Sequence, residues 1–172
     1  LDVLVCANLP YYITSPVIMK LLEEKLPVES LTVMVQKEAA VRICAAPGTR
    51  ACGAVSVAVQ YYSQPQILFD VPRDCFFPAP NVDSAVIRLN IRKEPPVKLE
   101  TEEKQFFKLV KAAFGQRRKT VLNSLNTGLG KSKEELSAAL QQAGIEPTAR
   151  AEQLTMEQFG TLCNLLFPNK AK

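Results

Sequence analysis

Histidine is absent from all 172 residues, and none of the five cysteines lies in a Cys-x-x-Cys pair. The first absence excludes histidine-based catalysis within this chain, and the two together exclude most zinc sites. We therefore expect no metal. The scattered cysteines are most simply reduced thiols, which indicates a cytoplasmic protein. They are Cys6, Cys44, Cys52, Cys75 and Cys163.

Long apolar runs are absent too: none approaches the ~20 residues that span a bilayer, and no signal peptide is visible. We expect no membrane partner. The chain is 47% hydrophobic and 22% charged, as is typical of globular proteins. Its first residue is Leu1, not Met, and the apolar run 1–7 predicts a buried strand. Because parallel strands in a core need neighbours on both edges, we expect the C-terminal portion of a longer protein.

Acidic residues are missing from one long stretch. Between Lys104 and Lys131 there are seven basic residues and no acidic one, which indicates a polyanionic partner. The stripe of lysines at i, i+4 and i+7 shares one helix face, and a basic triplet follows it. Contact with nucleic-acid phosphates is favoured over a merely solvated face. The candidate residues are Lys104, Lys108, Lys111, Arg117, Arg118 and Lys119.

Strands and helices alternate in the first half of the chain, a pattern typical of an α/β domain. The segment 54–62 fits either a strand or a helix, and Thr14 or Ser15 is the predicted N-cap of the first helix. Strands are predicted at 1–7, 31–35, 66–71 and 84–92, and helices at 15–25 and 37–45.

Only helical patterns follow the charged, proline-containing segment around Pro95-Pro96. We predict three parts: residues 1–93 as an α/β domain, 94–100 as a linker and 101–172 as a small helical domain. Two helices carry capping boxes, Ser132 with Glu135 and Thr155 with Gln158. The helices are predicted at 101–114, 118–125, 132–143 and 155–167.

An Asn-x-Pro-aromatic tetrapeptide, Asn8-Leu9-Pro10-Tyr11, follows the first strand. The Asn8 side-chain oxygen can accept one hydrogen of an exocyclic amine. Pro10 pushes Leu9 toward an extended conformation, so that the Leu9 carbonyl can accept the other hydrogen. Tyr11 offers a face for stacking a base. The tetrapeptide alone fits an ordinary proline turn equally well.

Four motifs together are more specific than the tetrapeptide. In order and over nearly the whole chain, they resemble the ribosomal RNA adenine dimethyltransferase family. The motifs are Asn8-Leu9-Pro10-Tyr11-Tyr12, residues 35–42 (Val-Gln-Lys-Glu-Ala-Ala-Val-Arg), residues 76–86 (Phe-Phe-Pro-Ala-Pro-Asn-Val-Asp-Ser-Ala-Val) and residues 114–120 (Phe-Gly-Gln-Arg-Arg-Lys-Thr).

The resemblance implies the C-terminal half of a Rossmann-like, S-adenosyl-L-methionine-dependent methyltransferase domain, followed by a helical RNA-binding domain. It implies dimethylation of N6 of two adjacent adenosines near the 3′ end of small-subunit (16S) ribosomal RNA during ribosome assembly. It also favours a helix at 54–62. The main cofactor-binding loop would lie upstream of Leu1, and we therefore expect the chain alone to be inactive.

Site roles follow from the same resemblance. Asn8, Leu9, Pro10 and Tyr11 would form the catalytic motif, with Asn8 also bordering the cofactor. Tyr11 and Phe76 would sandwich the flipped adenine, while either Phe76 or Phe77 is expected to pack in the core. Leu9 and Tyr12 would shape the pocket for the methylated amine.

Other motif residues have simpler interpretations. Glu38 and Arg42, spaced i,i+4, favour an ion pair over RNA contact. Asp83 and Ser84 are expected to cap a turn. Two residues depart from the family pattern: Cys52 replaces a common aromatic residue, and Asn81 replaces a common lysine.

Three alternatives remain open at this point. One is the related large-subunit rRNA methyltransferase that confers antibiotic resistance. Another is a non-catalytic assembly factor that binds immature small subunits. The third is a DNA amino-methyltransferase, which would share the tetrapeptide but not the later motifs.

Overall fold

A computed structural model describes residues 2–168, which form a four-stranded sheet, helices packed on it, and a second, helical unit. The strands are β1 (Leu4–Asn8), β2 (Ser30–Gln36), β3 (Ser63–Val71) and β4 (Ser84–Ile91). The helices of the sheet unit are α1 (Thr14–Glu23), α2 (Lys37–Ile43) and α3 (Ala54–Tyr62).

The strands lie in the order β1-β2-β4-β3. β1 runs parallel to β2, whereas β4 runs antiparallel to both β2 and β3. The strands β1, β2 and β3 therefore all point in one direction. The predicted α/β class is confirmed, and α3 is the helix that the resemblance favoured for 54–62. β3 begins earlier than predicted, at Ser63 instead of Gln66.

The central strands carry the core of the sheet unit. Val33 and Val35 of β2 and Ile87 and Leu89 of β4 are all at most 1% exposed, with Ile18 of α1 packed in the same cluster. Each buried aliphatic side chain of this size stabilises the fold by ~1.5–3 kcal/mol relative to an exposed one. The apolar pattern that predicted these strands thus reflects their central position.

β1 is less buried than predicted. Val5 and Ala7 pack partly against the core, but Leu4 is 65% exposed and Cys6 is also exposed. Within residues 2–168, β1 pairs with a neighbour along one edge alone, and the side chains on one of its faces are exposed. The predicted strand is present, but the prediction that it is buried is wrong for these residues; Leu1 lies outside the described part.

The helical unit has its own core, which extends into the sheet unit. Phe106 and Phe159 are fully buried there, and Val57 and Tyr61 of α3 belong to the same cluster. The aromatic ring of Tyr61 lies 5.1 Å from that of Phe106. The helical unit therefore docks on α3 by apolar packing. Its helices are α4 (Glu103–Ala113), α5 (Val121–Leu129), α6 (Lys133–Gln142) and α7 (Met156–Leu166).

Helix α5 begins later than the sequence pattern predicts. The Thr120 hydroxyl accepts a hydrogen bond from the Asn123 amide at 3.3 Å and caps the helix. Arg118 and Lys119 consequently lie in the turn between α4 and α5, not in a helix. Their placement in the predicted helix 118–125 is wrong, because the cap satisfies the free amides of the first turn only when the helix starts at Val121.

The predicted caps are confirmed in part. Thr155 and Gln158 form the complete capping box at α7. Ser132 accepts from the Glu135 amide, but the Glu135 carboxylate pairs with Lys131 at 3.0 Å, so that only half of the second box forms.

Candidate functional site

Three of the four motifs lie at one edge of the sheet, whereas residues 114–120 lie in the helical unit. β1 ends at Asn8 and β2 ends at Gln36. Ser84, the first residue of β4, pairs with Gln36 on one side and with Val71, the last residue of β3, on the other. The carboxyl ends of three strands thus converge with the start of the fourth. Open α/β sheets bind their ligands at such an edge.

The turn after β1 is rigid. Asn8 is exposed at the strand end, whereas the Leu9 side chain packs partly against the sheet core. Pro10 has φ −57° and ψ 135°, and its carbonyl accepts a hydrogen bond of 3.2 Å from the Ile13 amide. The fixed proline φ and this bond hold the turn that carries the tetrapeptide.

Thr14 stabilises the same turn. Its hydroxyl is positioned to donate to the carbonyls of Pro10, at 3.2 Å, and Tyr11, at 3.3 Å. The residue is 4% exposed. The N-cap of α1 is Ile13, without a side-chain cap, so the prediction of a Thr14 or Ser15 N-cap is wrong. Thr14 instead donates to carbonyls of the turn, a contact that was not predicted from the sequence.

Tyr11 is fixed at its far end as well. Its hydroxyl lies 2.6 Å from the Oγ atom of Ser84. Ser84 is fully buried, while Tyr11 is 36% exposed, so that part of its ring remains accessible. The expectation that Ser84 caps a turn is wrong, because its side chain contacts the tetrapeptide across the sheet edge. The two residues are 73 positions apart, and no local pattern could have linked them.

The aromatic loop between β3 and β4 lies at this edge too. After a 3₁₀ turn at Arg73–Cys75, Phe76 is half-buried and Phe77 is fully exposed. Neither ring is part of the core, which contradicts the interpretation of one of them as a core residue. The stacking role of Phe76 stays a prediction.

Polar contacts tie this loop to the sheet. The Asp83 carboxylate accepts from the Arg73 amide at 2.9 Å and from Arg73 Nε at 3.3 Å. These contacts hold the pKa of Asp83 below its usual value, and the hydrogen bond from the Arg73 backbone amide has the largest effect. Asp83 thus anchors the 3₁₀ turn across the loop, and its backbone carbonyl accepts from the Lys37 amide at 3.0 Å.

Two exposed ion pairs flank the edge. The Lys37 ammonium lies 2.9 Å from the Asp70 carboxylate, whose hydrogen bond raises the pKa of Lys37. Glu38 and Arg42 form the predicted i,i+4 pair at 3.7 Å. Such exposed pairs contribute little stability, and the Glu38–Arg42 pair confirms the simpler interpretation of this motif.

The basic candidates lie on the surface of the helical unit. Lys104, Lys108 and Lys111 are exposed on α4, and the three basic residues of the α4–α5 turn are exposed as well. Beside this turn a cleft of ≈ 640 Å³ opens between the two units. Five arginines and a single acid line it: Arg42, Arg50, Arg117, Arg118, Arg150 and Glu152. Arg50 and Arg150 were not predicted as members of this surface, because they lie outside the basic stretch.

Residues 2–168 contain neither a group of metal-ligand side chains nor a membrane-spanning helix. No three or more Cys, Asp or Glu side chains in this part of the chain are grouped as metal ligands would be. None of its helices is long and apolar enough to cross a bilayer.

Similarity to known proteins extends over nearly all of the chain. The family model described as ribosomal RNA adenine dimethylase matches residues 2–167. Two relatives named ribosomal RNA small subunit methyltransferase A, from Alkaliphilus oremlandii and a Geobacillus species, are 55% and 52% identical. Each match covers 96% of this chain, which spans 58% and 57% of those relatives' length.

Solved structures show the same relationship. A dimethyladenosine transferase from Plasmodium falciparum has a TM-score of 0.75 and 25% identity, covering 93% of this chain and 65% of that one. The 23S rRNA methyltransferase ErmE has a TM-score of 0.69 and 26% identity, covering 95% and 64%. The Rossmann-like methyltransferase fold and the resemblance stated from the motifs are thereby confirmed, and the chain belongs to the ribosomal RNA adenine dimethylase family.

Proposed function

We propose that the enzyme containing this chain dimethylates N6 of two adjacent adenosines near the 3′ end of small-subunit ribosomal RNA. One observation carries the proposal: at the carboxyl edge of the sheet, Tyr11 of the Asn8–Tyr11 turn contacts Ser84, which begins β4 after the loop that bears Phe76. The names of relatives more than 50% identical support the small-subunit substrate.

The exposed Asn8 side chain and the Leu9 carbonyl would each accept one hydrogen of the adenine amine. This arrangement orients the nitrogen lone pair toward the incoming methyl group. Tyr11 and Phe76 would hold the base between their faces. Since each stacked base gains ~1–3 kcal/mol, the two rings would offset much of the cost of unstacking the adenine.

Placement is the main catalytic device in this proposal. The amine attacks as a neutral group and then loses its proton to water, so that no strong general base is required. A chain without histidine fits this chemistry. Holding two reactants in a reactive geometry can lower the barrier by ~7–11 kcal/mol.

S-adenosyl-L-methionine supplies the methyl group when bound. Asn8 fits a role beside it, because its exposed amide stands at the strand end where open α/β sheets bind ligands. We assign Asn8 to both the base and the cofactor. Leu9 is held by packing against the sheet core and would keep Asn8 in position.

Small-subunit RNA, in immature subunits, is the proposed partner of the basic surface. The six residues Lys104, Lys108, Lys111, Arg117, Arg118 and Lys119 would contact phosphates, because all are exposed and no acid interrupts the stretch. The helical unit would thus bind RNA while the sheet edge receives the base. We place the enzyme in the cytoplasm, in line with its free thiols.

A large-subunit substrate is the main alternative, because ErmE shares the fold. The test is methyl incorporation from labelled cofactor into purified small and large ribosomal subunits by a full-length enzyme carrying this chain. We expect label in two adjacent adenosines of the small subunit. Label confined to the large subunit would replace our substrate, and tight binding of small subunits without label would favour an assembly factor.

A further inference from the structure

The contact between Tyr11 and Ser84 joins the two halves of the proposed base pocket. Tyr11 belongs to the turn after β1, whereas Ser84 opens β4 directly after the loop that carries Phe76. At 2.6 Å between the two oxygens, this is a short hydroxyl–hydroxyl hydrogen bond. Within residues 2–168 it is the one side-chain hydrogen bond recorded for the Ser84 hydroxyl.

Ser84 is held within the sheet. It is paired with Gln36 on one side and Val71 on the other, so that strands hold its backbone from both sides. Its side chain is fully buried. A hydroxyl fixed in this way offers Tyr11 one position for its own hydroxyl.

The hydrogen bond restricts the tyrosine ring at its free end. Its other end is held by the turn, in which the Thr14 hydroxyl contacts the Tyr11 carbonyl. A change of χ1 rotamer would break the bond to Ser84, so the contact favours the rotamer in which it forms. Since a phenolic hydrogen prefers the plane of its ring, the bond also favours one ring orientation.

We propose that Ser84 is a positioning residue that holds the Tyr11 ring as a fixed stacking face for the target adenine. The inference rests on the proposed function, in which Tyr11 contacts the base. A mobile ring would still attract adenine but would hold it in several orientations. Loss of the Ser84 hydroxyl therefore lowers kcat more than it raises KM.

A purely structural serine would behave differently, and the chain contains one for comparison. Ser63 is also fully buried at the first residue of a strand, and its hydroxyl donates to the Val59 carbonyl at 2.8 Å. It pairs with Ile91, at the opposite end of the sheet from Ser84. Ser63→Ala removes a buried hydroxyl far from the site.

The experiment is a double-mutant cycle in a full-length enzyme carrying this chain. It compares Ser84→Ala, Tyr11→Phe and their combination, with Ser84→Thr as a hydroxyl-retaining variant and Ser63→Ala as the control. The measurements are kcat and KM for methyl transfer to small subunits, together with thermal unfolding. Tyr11→Phe removes the same hydrogen bond by deleting the tyrosine hydroxyl instead of the buried serine hydroxyl. Because Tyr11 is 36% exposed, this variant tests the inference even if Ser84→Ala fails to fold.

We expect Ser84→Ala and Tyr11→Phe each to lower kcat about 10-fold, the effect of one hydrogen bond. The double variant should be no worse than either single one. Ser84→Thr should recover most of kcat, and Ser63→Ala should stay within about 2-fold of wild type despite lower stability.

Two results would overturn the inference while leaving the proposed function standing: an unchanged kcat in Ser84→Ala or Tyr11→Phe, or losses that multiply in the double variant. Absence of any transfer to small subunits by the wild-type enzyme would overturn the proposed function and this inference with it.

Discussion

Glu103, in the first turn of α4, accepts a hydrogen bond of 3.0 Å from Nζ of Lys25, just beyond the end of α1. The same carboxylate accepts bonds of 3.3 Å from the hydroxyls of Tyr61 and Tyr62 at the end of α3. One side chain of the helical unit thus holds two helices of the sheet unit. This polar contact adds to the apolar packing of Tyr61 against Phe106 where the two units meet.

Glu103→Ala should destabilise the protein by about 1–3 kcal/mol, because two partly buried tyrosine hydroxyls lose their acceptor. Urea unfolding measures the change. Glu157 in the first turn of α7 is exposed, and Glu157→Ala is the matched control, with an expected change within about 0.5 kcal/mol. Equal effects of the two substitutions would contradict the assigned role of Glu103.

Stability should fall in mild alkali. Burial raises the pKa of the Cys44, Cys52 and Cys163 thiols to about 11, whereas an unfolded thiol titrates near ~8.5. Between these values the folded protein binds more protons than the unfolded chain, so each rise in pH favours unfolding. Urea unfolding at about pH 7, 8.5 and 10 measures the decline.

A matched pair of variants isolates the thiol contribution to this decline. Cys163→Ala should be less stable at every pH but should depend less on pH, since one of the raised thiols is gone. The exposed Cys75, replaced by alanine, should leave the pH dependence unchanged. A decline of the same steepness in Cys163→Ala and wild type would contradict the thiol explanation.

The sequence could predict elements whose pattern reflects their own burial. The apolar residues of β2 and the alternation along β4 follow from their central positions in the sheet, and the Thr155–Gln158 box is a local signal at α7. The start of α5 was missed because basic residues are good helix formers, so propensity favoured extending the helix through Arg118 and Lys119. Only the Thr120 cap distinguishes the two starts.

The candidate site could be predicted as a set of motifs but not as a geometry. Asn8 and Tyr11 are candidates because the chemistry proposed for them lies in four consecutive residues. The Tyr11–Ser84 hydrogen bond depends on the strand register, and the contacts of the Thr14 hydroxyl with the Pro10 and Tyr11 carbonyls depend on the geometry of the turn. Neither feature is encoded by a local sequence pattern. The Arg50 and Arg150 side chains reach one cleft only through the docking of the two units.

Asn8→Ala in the full-length enzyme should lower the methyl-transfer rate by ~10²-fold or more, because it removes an acceptor that orients the reacting amine. Single-turnover transfer to small subunits measures the effect. Asn90 lies near the opposite end of the sheet, paired with Ser30, and Asn90→Ala serves as the control. A rate for Asn8→Ala within about threefold of wild type would exclude this role, since ~10²-fold is expected from a lost orienting contact.

Tyr11→Ala and Phe76→Ala should each weaken substrate engagement by ~1–3 kcal/mol through lost stacking. Tyr11→Phe should be milder than Tyr11→Ala, since it keeps the ring and loses only the bond to Ser84. Single-turnover rates at several RNA concentrations give the apparent affinities. Equal damage from Tyr11→Phe and Tyr11→Ala would show that the hydroxyl, and not the face of the ring, is what matters.

Replacing Lys108, Lys111, Arg117 and Arg118 with alanine should weaken binding to small-subunit RNA and flatten its salt dependence. Each lost phosphate contact lowers the slope of log K against log salt by ~0.7–0.9. The rate of transfer once bound should change little, because these residues lie in the helical unit and not at the sheet edge that carries Asn8. Titration of wild type and the quadruple variant at several salt concentrations gives the slopes.

The control for this experiment must remove the same number of positive charges outside the basic stretch. Lys20, Lys93, Lys98 and Lys133 are all exposed and lie outside the stretch from Lys104 to Arg118. Their replacement lowers the net charge equally, so a purely long-range effect would flatten both slopes alike. Direct phosphate contact predicts a marked change only in the first variant. Parallel plots of log K against log salt for wild type and both variants would show that the basic stretch is a solvated helix face. The physical basis for assigning RNA to it would then be lost.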